Sequence, residues 1–175
     1  MTEVLKIPIE RVSTLVGDKG KTKKSIEKKC NVELDIDSDG DVEINGESTD
    51  TFFAKDIVKA IGRGFEPKQA MKLADQDYNL YVIALKEILP NENAITRMKG
   101  RVIGEKGKMK YEIESATDSI VCIYGNTVSI ISKIDSMEYA KESIAMLLDG
   151  APHTTVLNYL AKARREIMDL RLKTQ

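Results

Sequence analysis

The chain has 175 residues, 42% hydrophobic and 31% charged, with a formal net charge of −1, the balance of a soluble globular protein with room for one large or two small cores. No apolar run of signal-peptide length opens it and no stretch nears the ~20 apolar residues of a bilayer span, so a cytoplasmic protein is expected. A charge this close to zero excludes a binder of nucleic acid that works through overall basicity. Cys30 and Cys122 lie outside any CxxC or Cys/His cluster, so no metal or cofactor is expected and both thiols should be reduced and buried.

Val4 to Ile7 reads as a short strand ended by Pro8, which cannot donate to a ladder and can open a helix. Ile9 through Val16 follows as a helix with Ile9, Val12 and Leu15 or Val16 on its apolar side. A loop, Gly17-Asp18-Lys19-Gly20, comes next, and Lys21 to Lys29 then predicts a helix with Ile26 on a narrow buried face. Val32, Leu34 and Ile36 alternate with polar residues, as do Val42 and Ile44, giving a hairpin with one buried face. Thr49 or Asp50 can cap a third helix with a stripe of Phe53, Ile57, Val58 and Ile61, stopped by Gly62 and Gly64.

Residues 65 to 79 connect, with Pro67 able to start a small helix. The order of elements then recurs. Leu80 to Ile88 reads as a strand, Asn91 to Val102 as a helix, and Gly104 to Gly107 as the loop. Lys108 to Ala116 is the next helix, Ile120 to Ile123 and Val128 to Ile131 the hairpin, and Ser136 to Leu148 the last helix of the unit. A helix over 154–170, with Val156, Leu157, Leu160, Ile167 and Leu170 apolar and Lys162, Arg164 and Arg165 outward, has no counterpart in the first half.

The recurrence is residue by residue. At an offset of 87, Gly17 falls on Gly104, Gly20 on Gly107, Lys23 on Lys110, Ile26 on Ile113 and Glu27 on Glu114; at 86, Val42 falls on Val128, Ile44 on Ile130 and Ala54 on Ala140. The one-residue change lies where Ser38-Asp39-Gly40-Asp41 faces Tyr124-Gly125-Asn126, residues suited to tight hairpin turns. A whole folded unit of about 60 residues is therefore duplicated.

Each loop offers two glycines, which permit positive φ and close approach, at the N-terminus of a helix whose free N–H groups favour phosphate. Lysines crowd both sites. Residues 17–29 carry six lysines against Asp18 and Glu27, and residues 97–110 carry Arg97, Lys99, Arg101, Lys106, Lys108 and Lys110 against Glu105.

Strand, helix, GxxG, helix, strand, strand, helix resembles the KH domain, a module that clamps single-stranded nucleic acid through this loop. Val102, Ile103, Gly104, Gly107, Lys110 or Tyr111, and Ile113 match its pattern VIGxxGxxIxxI. The resemblance implies an α+β fold of two tandem type I KH domains (βααββα) with an extra C-terminal helix: residues 1–64, a connection over 65–78, and residues 79–175. Bases would lie on Val16, Ile26 and Leu34, or on Ile103, Ile113 and Val121. The RNA-binding set is then Arg97, Arg101, Val102, Ile103, Gly104, Glu105, Lys106, Gly107, Lys108, Lys110 and Ile113 in the second unit, with Val16, Gly17, Asp18, Lys19, Gly20, Lys21, Lys23 and Ile26 in the first. With its extra cations, the second unit is expected to carry most of the affinity.

Residues 64–70, the second loop, Ile-Tyr-Gly-Asn-Thr-Val at 123–128 and His-Thr-Thr-Val-Leu at 153–157 are similar to archaeal KH proteins related to the partner-of-Nob (Dim-type) and Krr pre-rRNA processing factors. That resemblance implies a ribosome-assembly factor binding single-stranded RNA near the 3′ end of 16S rRNA. Its implied partners are a Nob-type PIN endonuclease and the α subunit of initiation factor two. No catalytic residues are expected: His153 has no Ser, Cys or Asp at a motif distance and reads as a helix-start hydrogen bond, and the alternating Asp35, Asp37, Asp39 and Asp41 read as a solvated turn. The alternative is a protein-interaction scaffold with little RNA affinity.

Overall fold

The alternation at Leu34, Val42 and Ile44 becomes a hairpin whose inward side chains are at most 4% exposed. Its strands are β2 (Glu33–Ile36) and β3 (Asp41–Asn45), and β1 (Thr2–Lys6) pairs on the far side of β3, giving the order β1-β3-β2. Both pairings are antiparallel, with Val4 opposite Glu43 and Leu34 opposite Ile44. Period-two side chains commit one face to a core; α1 (Val12–Val16), α2 (Lys21–Cys30) and α3 (Ser48–Gly62) close over it. The computed structural model describes residues 1–174 and divides into two units, residues 1–80 and residues from 81 on.

Connecting residues pack within the first unit. Pro67–Ala70 forms α4, whose first turn is closed by a reciprocal capping box between Glu66 and Gln69, and a further turn over Met71–Ala74 follows. Both lie against α3, with Phe65, Ala70 and Leu73 buried.

The second unit repeats the architecture with β4 (Tyr78–Ala84), β5 (Ser119–Tyr124) and β6 (Thr127–Lys133) in the order β4-β6-β5. Its helices are α5 (Leu85–Ile88), α6 (Glu92–Ile103), α7 (Lys108–Thr117) and α8 (Ile134–Leu148). The tail helix α9 (His153–Lys173) packs on α7 and α8, burying Val156, Leu160, Ala163 and Ile167 at helical spacing. At its far end Arg171 donates to Asp135 and to Asp118, and the hydrogen bond from Arg171 holds the Asp135 carboxyl below its ordinary range.

Several expectations are corrected. The strand expected over 80–88 ends at Ala84, because Leu85 turns into a short helix and is fully buried. The helix expected from Ile9 begins as a tight turn over Ile9–Arg11, which leaves Ile9 64% exposed. Neither Thr49 nor Asp50 caps α3: the helix starts at Ser48, and Asp50 instead accepts from Asn31. Phe53 is half-buried, Leu170 is exposed and Cys122 is half-buried, whereas Cys30 is buried and its thiol pKa is raised chiefly by desolvation. His153 does stand at a helix start, as the first residue of α9 after Pro152. Asp37 accepts from the amides of Asp39 and Asp41, as a tight turn requires. Among the described residues no cluster of His, Cys, Asp or Glu is placed to hold a metal, and no helix is long and apolar enough to cross a membrane.

Candidate nucleic-acid interface

Both loops have the same backbone. Gly17 has φ 76°, ψ 175° and Gly104 φ 74°, ψ 176°. Lys19 and Lys106 are left-handed at φ 52° and 54°, and Gly20 and Gly107 at φ 74° and 77°. Three positive φ values in four residues are costly for ordinary side chains, and such strain concentrates at binding sites. A hydrogen bond of 3.2 Å closes each loop, from Gly20 N–H to the Gly17 carbonyl and from Gly107 N–H to the Gly104 carbonyl.

The two glycines of a loop do different work. A Cβ on Gly104 would lie 2.7 Å from the Met109 amide nitrogen, and one on Gly17 would lie 2.8 Å from that of Thr22, so the first glycine lets the loop fold onto the next helix. A Cβ on Gly107 would meet nothing within 4 Å, and one on Gly20 only the end of Lys24 at 3.9 Å. The second glycine therefore presents bare main chain to the outside, where a sugar–phosphate backbone can lie.

Around this platform Lys19, Lys21, Lys106, Lys108 and Arg97 are exposed, as are Asp18 and Glu105, while Lys23 is half-buried. Ile103 is 36% exposed at the loop entrance, and its counterpart Val16 is half-buried. The other apolar candidates are elsewhere. Val102, Ile26 and Ile113 are 0% exposed and Leu34 and Val121 at most 4%, so these five side chains build the core and are not a bed for bases. Their alternation with charged residues looks the same for either role; only the packing of the sheet against the helix decides.

Arg101 is also corrected. Its half-buried guanidinium donates to the carbonyls of Leu147 in the last turn of α8 and of Ala151 just beyond that helix. Arg11 does the same in the first unit, donating from Nε to Ile61 O and from Nη2 to Phe65 O at 2.8 Å each. The carbonyls correspond at an offset of 86, yet Arg101 corresponds to Thr14 and Arg11 to Met98. Each arginine ties the last turn of a helix to the chain just beyond it, adding a charged donor to a carbonyl that already accepts from a backbone N–H, Gly64 to Ile61 and Gly150 to Leu147. Arg101→Met should therefore destabilise the protein by about 2–3 kcal/mol in urea unfolding while changing RNA affinity less than twofold; a large affinity loss with unchanged stability would return Arg101 to the interface.

Two more cations have internal partners: Lys99 donates to Gly125 O at 2.9 Å, and Lys110 pairs with Glu114 at 2.6 Å. One contact had no warning in the residue pattern. Glu27 Oε1 accepts from the backbone N–H of Leu34 at 2.9 Å, bridging α2 to the edge strand β2.

A family model described as a eukaryotic type KH domain of type I matches residues 79–165, and a KH-domain model matches residues 2–60. The chain is 44% identical to the KH domain-containing protein MJ0443 of Methanocaldococcus jannaschii over 98% of its own length and 78% of that protein. It is 39% identical to the crystal structure of Dim2p from Pyrococcus horikoshii OT3, with a TM-score of 0.87 over 93% of this chain and 99% of that one. This chain belongs to the archaeal Dim2 family of tandem KH-domain proteins. The a/eIF2alpha–aDim2p–rRNA complex from Pyrococcus horikoshii OT3 contains a chain 38% identical to it, with a TM-score of 0.88 over 95% of both. The pre-rRNA-processing protein PNO1 of Chaetomium thermophilum is 33% identical over 60% of this chain, a match that spans 42% of that longer protein. In KH terms, the elements described above are two βααββα units, the second extended by α9.

Proposed function

We propose that the protein captures an unpaired RNA segment near the 3′ end of 16S rRNA during small-subunit maturation, without catalysing a reaction itself. The observation that carries this reading is the pair of loops with matching dihedrals, each offering an open second glycine beside exposed lysines. A phosphate backbone laid on Gly107 would be held by main-chain amides and by Lys106 and Lys108, with Arg97 on the adjoining helix. Its relative in the initiation-factor complex with rRNA supports the same ligand and the α subunit of initiation factor two as a partner. A Nob-type endonuclease, acting on RNA held in this way, is the enzyme the factor would serve. The rival scaffold reading draws on Lys99, Arg101 and Lys110, whose internal partners thin the cationic face.

Fluorescence anisotropy of a labelled single-stranded oligonucleotide from the 3′ end of 16S rRNA decides between them. With about three or four phosphates contacted, a fourfold rise in salt should weaken binding roughly 30-fold. Absence of binding, or an affinity indifferent to salt, would favour the scaffold.

A further inference from the structure

Glu27 and Glu114 are counterparts in the repeat, as are Lys23 and Lys110, and Leu34 and Val121. Yet the two carboxylates are held differently. In the second unit Glu114 is drawn back along its own helix to Lys110 Nζ at 2.6 Å. In the first, Glu27 reaches across to the strand edge and accepts from Leu34 N–H at 2.9 Å. β2 is an edge strand with β3 as its neighbour on one side, so its outward amides are the sheet's available donors toward the groove beside α2. A base set in that groove would offer an acceptor on its Watson–Crick or Hoogsteen edge to such an amide.

We propose that Glu27 is an internal competitor for RNA: its carboxylate occupies the strand-edge donor of the first KH unit and keeps that groove closed, whereas Lys110 holds Glu114 away and leaves the second groove open. The inference rests on the RNA-binding reading above. A base entering the first unit must displace a charge-assisted hydrogen bond and sit beside a negative charge. The pair Lys110 and Glu114 thus determines which unit reads RNA, and Glu27 determines which does not.

The test uses the full chain carrying Lys106→Asp, so that residual binding reports the first unit. Adding Glu27→Ala should raise its affinity for the 16S 3′-end oligonucleotide roughly tenfold, as expected when a hydrogen bond to a charged acceptor no longer has to be broken. The gain should vanish when Lys19→Asp is added, and the Leu34 amide resonance should respond to RNA in the Glu27→Ala protein and not in its parent. No gain, whether residual binding is unchanged or stays undetectable, overturns the proposal. If the intact protein binds the oligonucleotide and Lys106→Asp weakens it, that failure leaves the RNA-binding reading standing; if the intact protein does not bind, it is that reading which fails.

Discussion

Lys106→Asp should weaken capture of the single-stranded oligonucleotide roughly 30-fold or more, while Lys19→Asp should cost about threefold. Both lysines stand exposed in the same left-handed conformation, so the loops alone predict equal losses. Their surroundings break the tie. Where α6 carries Arg97, the first unit has Glu10 at the corresponding position, and both side chains are exposed. That exchange alone shifts the local charge by two units, and phosphate binding follows local charge within about a Debye length. Ile103 also offers more apolar surface at the entrance than Val16 does. Anisotropy titrations of the two variants at one salt concentration check the asymmetry; equal losses would refute it.

Gly104→Ala should destabilise the second unit by about 3 kcal/mol or more, and Gly107→Ala by only about 1 kcal/mol. At Gly104 a methyl group is strained twice, by a φ of 74° with ψ of 176° that is almost closed to L-residues, and by the Met109 amide nitrogen at 2.7 Å. At Gly107 the backbone is left-handed with open space outside, so Ala meets the dihedral cost alone. Function should rank the other way among folded molecules. Gly107→Ala places a methyl on the platform and should lower RNA affinity with the fold intact. Urea unfolding and anisotropy on both variants separate these effects, and a larger stability loss at Gly107 would contradict the assignment of roles.

The duplication made most of this fold legible, because two imperfect copies of one pattern check each other. Gly17 with Gly104, and Gly20 with Gly107, located both loops, and alternation located the hairpins. What could not be read was the direction of side chains that are chemically suited to two roles. Ile26 and Ile113 lie three residues beyond the half-buried Lys23 and Lys110, and nothing in their spacing says that they bury completely. Arg101 looks like a phosphate ligand until the end of α8 is folded against it, since carbonyls placed to accept a guanidinium are a property of the assembled helix. The contact of Glu27 with Leu34 joins residues seven apart through a turn, and the same glutamate in the second unit, beside the same kind of lysine, points elsewhere.

The displaced arginines bear on how far two copies of one unit can differ in sequence and still make the same contact. Arg11 and Arg101 grip equivalent carbonyls from positions one helical turn apart, so the contact belongs to a face of the helix and not to a single position in the repeat. A side chain long enough to reach the same two acceptors from either turn frees both positions to vary, which lets two halves that share few identities keep one geometry.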